Sequence, residues 1–281
     1  MKLIPSIQLI RVARDKGYGI PSFCFWNAES CDVVLRVAAR LRAPVILMAS
    51  RSECACLTPK QLVAVARTIG ADYDVPAAVH LDHGDSLEQV QECIDAGFTS
   101  VMLDYSTRPF SENVAALQQV VKIARPLGIT VEGELGHVGR ADNVTSEGLG
   151  QASLTDPKAA RVFVQETGVD MLAVSIGNAH GHYAQTPRLE FGLLEKLRDA
   201  TGIPLVLHGG SGTPPDDLRR ALSLGMAKVN VASDLCSTLR QSLQEQWKQP
   251  CWLPPTFGTA MAALEPVLER WIHALGAAGR V

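Results

Sequence analysis

The chain has 281 residues, 47% of them hydrophobic and 20% charged, with a formal net charge of −3. Such a composition supplies one large apolar core. It leaves no basic patch for nucleic acid and no apolar run near the ~20 residues that span a bilayer. Seven cysteines without paired Cys-x-x-Cys spacing fit a reducing compartment. The opening Met1–Gln8 is broken by Pro5 and Gln8 before a secretory signal core can form, so a cytoplasmic protein is expected.

In chain order, short and mostly continuous apolar runs predict strands over Gly19–Phe25, Pro44–Ser50, Ala77–His83, Ser100–Ser106, Thr130–Gly136, Met171–Gly177, Pro204–Gly210 and Ala227–Ser233. Runs of this kind suit parallel strands buried on both faces. Helical patterns separate them. Ser86-Leu87-Glu88-Gln89 has the spacing of a capping box. Gly97, Gly128, Gly168, Gly202 and Gly225 fall where helices end, and Pro214–Asp217 reads as a first helical turn. Eight such units in one chain predict an α/β fold, a TIM (β/α)8 barrel forming a single domain over 1–281. The tail from about Asp234 to Ala274 holds the eighth helix and an extra C-terminal helix. An open doubly wound sheet is the alternative, but Phe25-Trp26-Asn27-Ala28 lacks the glycine-rich turn such a sheet carries after its first strand.

Three histidines, His83, His180 and His208, each close an apolar run or its extension, and glycine follows each at once: Gly84, Gly181 and Gly209. Three imidazoles with an open fourth position are the ligand set of a catalytic zinc. A single histidine at a strand end is usually a hydrogen-bonded core residue, and His80, His137, His182 and His273 are read that way. In a barrel, the C-terminal strand ends face the active site. Asp82, Asp104, Ser106, Glu132, Glu134 and Asn230 also lie at or near such ends, where polar groups are costly unless they serve a function. Two further loops suit an anion. His208-Gly209-Gly210-Ser211-Gly212-Thr213-Pro214 follows strand seven, and Val229–Asp234, with Ser233, follows strand eight. Loops at these positions often bind phosphate through backbone N–H groups and a helix N-terminus.

Over nearly its full length the chain resembles the class II, zinc-dependent fructose-bisphosphate and tagatose-bisphosphate aldolases. The resemblance is carried by His80–Gly84, Gly97–Asp104, Val131–Gly136, Ala173–Gly181, His208–Gly212, Lys228–Asp234 and Leu275–Gly279. It implies a catalytic zinc on His83, His180 and His208, and an acid/base role for Asp82 at the hydroxyl beside the bond being cut. Asp104 and Glu134 match positions linked to a second or displaced divalent ion. Gly181, Gly209, Ser211, Asn230 and Ser233 match contacts to dihydroxyacetone phosphate, beside which Gly210 stands. Some members also bind Na+ near these loops. A phosphorylated sugar substrate and a homodimer or homotetramer are further implications. The chemistry fits, because retro-aldol cleavage leaves an enediolate whose charge a chelating metal stabilises. A Schiff-base aldolase would need a lysine at the mouth, and Lys228 is expected at the start of strand eight, the other end.

The departures from the family cluster. Cys24 stands where asparagine is usual, and Trp252–Thr256 replaces an aspartate-proline-arginine segment, while Ser50 of the same aldehyde-phosphate pocket is kept. Ala184 replaces a lysine of the dihydroxyacetone-phosphate side, with Arg188 nearby in sequence. Asp142 takes the place of a loop glutamate proposed to move a proton. Tyr105 and Thr107 depart from the family's usual residues after Asp104. Losing a bidentate phosphate binder changes recognition. The expectation is an intact aldol centre with altered substrate choice, the aldehyde half lacking a terminal phosphate or carrying a carboxylate. The alternatives are a metal-dependent aldolase or epimerase of a sugar acid, and a non-catalytic sugar-phosphate binder.

Overall fold

The eight apolar runs form the strands β1 (Ile20–Cys24), β2 (Val45–Ala49), β3 (Pro76–Gly84) and β4 (Ser100–Leu103), then β5 (Thr130–Leu135), β6 (Met171–Val174), β7 (Leu205–Leu207) and β8 (Met226–Val231). The computed structural model of the protein describes residues 1–140, 153–181, 187–248 and 250–281, with backbone only at Arg140. Every strand pairs in parallel with the next. β8 returns to β1 through Asn230↔Ser22 and Val231↔Phe23, closing the barrel. Helices lie between successive strands, as expected for a (β/α)8 barrel.

Glycines in left-handed backbone end several of these helices, as at Gly97, Gly168 and Gly202. Ser86 caps Leu87–Ala96 by accepting the Gln89 N–H, but the Gln89 side chain turns to the Asp85 N–H at 3.1 Å, so the reciprocal half is displaced by one residue. β4 and β6 stop earlier than expected, at Leu103 and Val174, which leaves Asp104, Ser106 and Ser175 in loops. The C-terminal region also differs from the single extra helix expected. Ser233–Gln246 is followed by both Leu253–Ala262 and Glu265–Ala274. Pro254, Pro255 and Pro266 punctuate this tail at first helical turns. Among the described residues, no helix is long and apolar enough to cross a membrane.

One end of the barrel is covered. Lys2–Leu3 extends the sheet beside the start of β3. In the helix Ser6–Lys16, Ser6 Oγ lies 2.8 Å from Ser100 Oγ, and the Ile7 N–H reaches Thr130 Oγ1 at 3.0 Å. Ser100 and Thr130 are the first residues of β4 and β5, so this helix plugs the N-terminal end and leaves the other end for the site.

Side chains alternate between the two faces of each strand. On β5 a Cβ at Gly133 would meet Leu117 and Phe163 of the outer helices at 3.0 and 3.1 Å, which sets Glu132 and Glu134 on the inner face. Barrel interiors are normally filled by branched apolar residues. Here the interior holds fully buried Glu132, Lys228, His80, Ser22 and Ser100. Lys228 is not at the start of β8 as expected but is its third residue. Its ammonium lies 2.8 Å from Glu132 Oε2 and 3.4 Å from His80 Nε2, and His80 Nδ1 lies 2.8 Å from Ser100 Oγ. A polar column therefore runs from the plugged end toward the mouth.

Candidate active site

Asp82 and His83 are consecutive, yet both serve the interior end of the barrel. Asp82 is 4% exposed and takes a 2.7 Å hydrogen bond from Asn230 Nδ2 of β8. His83 lies against His180 and His208, with ring centroids 4.9 and 4.5 Å away. A regular strand would point these neighbours to opposite faces. The register of β3 on β4 shifts between Leu81 and Gly84, and His83 has φ +47°, a left-handed conformation that side chains other than glycine seldom adopt. The bulge turns both residues to one place, at the kind of local strain that collects in functional sites. Gly84 completes it, since a Cβ there would sit 2.6 Å from the Met102 carbonyl oxygen.

His208 follows β7 and is fully buried; His180, 7% exposed, ends a two-residue strand, Ala179–His180, paired to Gly139–Arg140. Gly209 holds the two together. It has φ +61°, and a Cβ on it would lie 1.9 Å from the Ala179 carbonyl oxygen. Close packing of two loops thus demands glycine there, whatever the loop binds. Asn178 adds to the clamp by donating Nδ2–H to the His208 carbonyl at 2.9 Å. All three histidines named from the sequence converge, each with a ring nitrogen within 4.8 Å of the others.

Hydrogen bonds fix the rings. His83 Nδ1 lies 2.7 Å from Asp104 Oδ2, so its N–H donates there and Nε2 carries the lone pair. His208 Nε2 lies 2.7 Å from Glu132 Oε1, so its N–H donates there and Nδ1 carries the lone pair. Carboxylates behind imidazoles are the usual way to orient metal-binding histidines. The two lone-pair nitrogens, His83 Nε2 and His208 Nδ1, approach to 2.8 Å. Bare lone pairs at that separation repel unless a proton or a cation lies between them. Burial, and then the neighbouring His83, hold His208 well below the ordinary imidazole range, so its Nδ1 offers a lone pair. The donor set therefore fits a divalent cation bound by neutral imidazoles.

Asp104, Glu134 and His83 form a second converging group. Burial alone would raise the Asp104 carboxyl, but the His83 ring and Ser106 outweigh it and hold Asp104 well below the usual carboxylate range. Glu134 behaves oppositely, pushed well above that range by burial and then by Asp104. Its Oε1 takes the Val138 N–H at 3.3 Å, and its buried Oε2 has no hydrogen-bond partner among the described residues, lying 3.7 Å from His208 Nδ1.

Of the other expected site residues, Ser50 caps the short helix Arg51–Cys56 and binds Glu53 Oε2 at 2.6 Å. Ser211 Oγ accepts the Asp234 N–H at 3.2 Å, tying the loop after β7 to the helix Ser233–Gln246. Gly181, Gly210, Asn230 and Ser233 border the same end, and Asn230 Oδ1 is buried with no hydrogen-bond partner among the described residues. Asp142 and Ala184 lie outside the described residues. Two residues outside the expected site take part: Lys228, through Glu132, and His137, whose Nδ1 lies 3.2 Å from Ser106 Oγ. The Glu132-Gly133-Glu134 alternation was a signal that Glu132 shares the inward face of Glu134.

Residues 5–280 match the family model described as class-II fructose-bisphosphate aldolase. The chain is 38% identical to the D-tagatose-1,6-bisphosphate aldolase subunit GatY of Klebsiella oxytoca over 284 aligned positions, covering 100% of both. It superposes on the YdjI aldolase of Escherichia coli K12 with a TM-score of 0.89, 32% identity and 99% of each chain covered. A fructose-bisphosphate aldolase from Campylobacter jejuni shares the fold, with a TM-score of 0.82 at 21% identity over 99% of this chain and 97% of that one.

Proposed function

The chain belongs to the class II fructose-bisphosphate aldolase family, and on that premise we propose that it cleaves a tagatose- or fructose-type ketose bisphosphate, or a related ketose phosphate, to dihydroxyacetone phosphate and an aldehyde. One observation carries the placement of the site. His83 Nε2 and His208 Nδ1 face each other at 2.8 Å, with each ring's other nitrogen on a carboxylate and with His180 beside them. His83, His180 and His208 would hold zinc, the metal on which this family generally depends. The bound ion supplies Lewis acidity for the charge that builds on the ketose oxygens as the carbon–carbon bond breaks.

The chain's own residues supply the rest. Asp82 moves the proton at the hydroxyl adjoining the broken bond. Asn230 holds Asp82 Oδ1 at 2.7 Å, which directs the carboxylate while leaving Oδ2 for the substrate. Gly181, Gly209, Gly210, Ser211 and Ser233 gather one phosphate at the loops after β7 and β8, beside the start of the helix Ser233–Gln246. Asp142 serves the second proton transfer. Asp104 and Glu134 offer a place for a second divalent ion, and the same loops offer one for Na+. Ser50 borders the aldehyde half. We place the enzyme in the cytoplasm as a homodimer or homotetramer.

The deciding experiment supplies the zinc-loaded protein with tagatose 1,6-bisphosphate beside a ketose phosphorylated only at the dihydroxyacetone end. Release of dihydroxyacetone phosphate from both supports a general ketose-phosphate aldolase. Release from the monophosphate alone means the aldehyde pocket has been rebuilt for an unphosphorylated partner. Release from neither rejects the reading in favour of a sugar-acid substrate or a non-catalytic binder.

A further inference from the structure

Ser50 stands at the barrel mouth on the interior face, next to Asp82. In the parallel pairing of β2 with β3, Met48 lies beside His80 and Ala49 beside Leu81, so Ser50 follows beside Asp82. Paired strands run about 5 Å apart, and register partners on parallel strands share a face. His80 points into the barrel, where its Nδ1 lies 2.8 Å from Ser100 Oγ. Met48 therefore points inward, and so does Ser50 two residues on. The Ser50 backbone is extended, with φ −94° and ψ −173°, which carries the alternation past the end of β2.

Both hydrogen-bond donors of Ser50 are spent on one carboxylate. Glu53 Oε2 takes the Ser50 N–H at 2.8 Å and the Ser50 O–H at 2.6 Å. The hydroxyl oxygen accepts the Ser52 N–H at 3.2 Å and lies 2.9 Å from Ser52 Oγ, which fills its two lone pairs. Arg51, the cation next in sequence, is turned to Asp85 at 2.9 Å. Capping of the helix Arg51–Cys56 accounts for the reach of Glu53 back to Ser50, since glutamate or glutamine at the third helical position does this. It does not account for the charge. At Thr58 the chain builds the same box with neutral Gln61, which takes the Thr58 N–H at 2.9 Å and the Thr58 O–H at 3.1 Å. The charged version stands beside Asp82.

A phosphate is held by donors, and most strongly by charged ones. At Ser50 it would meet a serine with no donor left and a carboxylate within hydrogen-bond distance of that serine. A hydroxyl, by contrast, donates to a carboxylate. We propose that Glu53 is a specificity-determining residue: by occupying Ser50 and placing a negative charge beside Asp82, it favours a ketose phosphorylated only at the dihydroxyacetone end over the bisphosphate. The assignment rests on the aldolase reading above, with one phosphate at the loops after β7 and β8 and the rest of the ketose running past Asp82.

Glu53→Gln removes the charge and keeps the capping box, as Gln61 does at Thr58. The zinc-loaded wild type and E53Q are compared on tagatose 1-phosphate and tagatose 1,6-bisphosphate, with zinc content and thermal midpoint measured for each. The wild type is expected to have the higher kcat/KM for the monophosphate. E53Q is expected to raise the bisphosphate-to-monophosphate ratio of kcat/KM about five- to tenfold, the difference between a hydrogen bond to a charged group and a neutral one. The gain falls chiefly in KM for the bisphosphate, at unchanged zinc content. A purely structural role for Glu53 would change both substrates alike and leave the ratio where it was. A ratio raised less than about twofold, or a wild type that prefers the bisphosphate, would overturn the assignment while the aldolase reading stands. Cleavage of neither substrate by the wild type would overturn the aldolase reading, and the assignment with it.

Discussion

Replacing Lys228 with methionine removes an ammonium from the barrel interior while keeping an unbranched side chain of similar length. Glu132 then stays fully buried, with His208 Nε2 at 2.7 Å but without the cation that stood 2.8 Å from its other oxygen. Removing one partner of a buried ion pair destabilises by about 3–5 kcal/mol, because the remaining charge is uncompensated. At about 2–4 °C per kcal/mol for a domain of this size, K228M is expected to melt roughly 6–20 °C below wild type. Both proteins are compared in circular-dichroism melts with chelator present, so that metal does not contribute. A second variant, K228M/E132M, separates charge from packing. Exchanging a whole buried pair for apolar residues is often neutral or stabilising, so the double variant regains most of the lost stability. It also removes the carboxylate that orients His208, and its zinc affinity by chelator competition is expected to fall about 10–100-fold. A K228M midpoint within 2 °C of wild type would refute the buried-pair reasoning, as would a double variant no more stable than the single one.

Asp82→Asn keeps an oxygen to accept the Asn230 Nδ2–H but removes the base, so kcat is expected to fall about 10²–10⁴-fold at unchanged zinc content; wild-type kcat would remove Asp82 from the chemistry. His80 is held well below its ordinary range, by burial first and Lys228 second. Its unfolded form therefore binds more protons between pH 6.5 and the lowered folded value. The stability it contributes is complete above about pH 6.5 and is lost on acidification at up to about 1.4 kcal/mol per pH unit. Glu134, raised in the folded state, contributes with the opposite sign as pH rises past its unfolded value, and the comparison with H80Q cancels it. Urea midpoints of metal-free wild type are expected to fall more steeply from pH 7 to 5 than those of H80Q, and parallel slopes would contradict the assignment. Gly209→Ala drives a methyl group to 1.9 Å from the Ala179 oxygen. It is expected to lower the thermal midpoint and the zinc stoichiometry together, since the same contact spaces His180 from His208; a wild-type value for both would refute that coupling.

The barrel was legible because parallel strands buried on both faces leave continuous apolar runs, and because glycine marks the end of so many helices. The three site histidines were legible for a related reason, each being followed at once by a glycine. The structure supplies part of the cause: at Gly84 and Gly209 the backbone of another segment comes too close for a Cβ. What stayed hidden depends on contacts across the barrel. Lys228 and Glu132 are 96 residues apart, and nothing local in either strand marks them as partners. The bulge that turns Asp82 and His83 to one side also has no composition signal, since it arises from how β3 meets β4. His137 looked like any isolated histidine, because the serine its ring meets, Ser106, is 31 residues away. The C-terminal tail was underestimated for another reason: the predicted single extra helix is divided in two near Ala263-Leu264, with Pro266 opening the second piece.

If His83, His180 and His208 hold a divalent ion that drives carbon–carbon cleavage, the activity follows that ion. The purified protein is stripped with chelator and zinc is added back in steps, while dihydroxyacetone-phosphate release from tagatose 1,6-bisphosphate and zinc bound per chain are followed. Activity is expected to vanish on stripping, return in proportion to zinc up to one ion per chain, and not return in H208A. Full activity in the stripped enzyme, or zinc-restored activity in H208A equal to wild type, would contradict it.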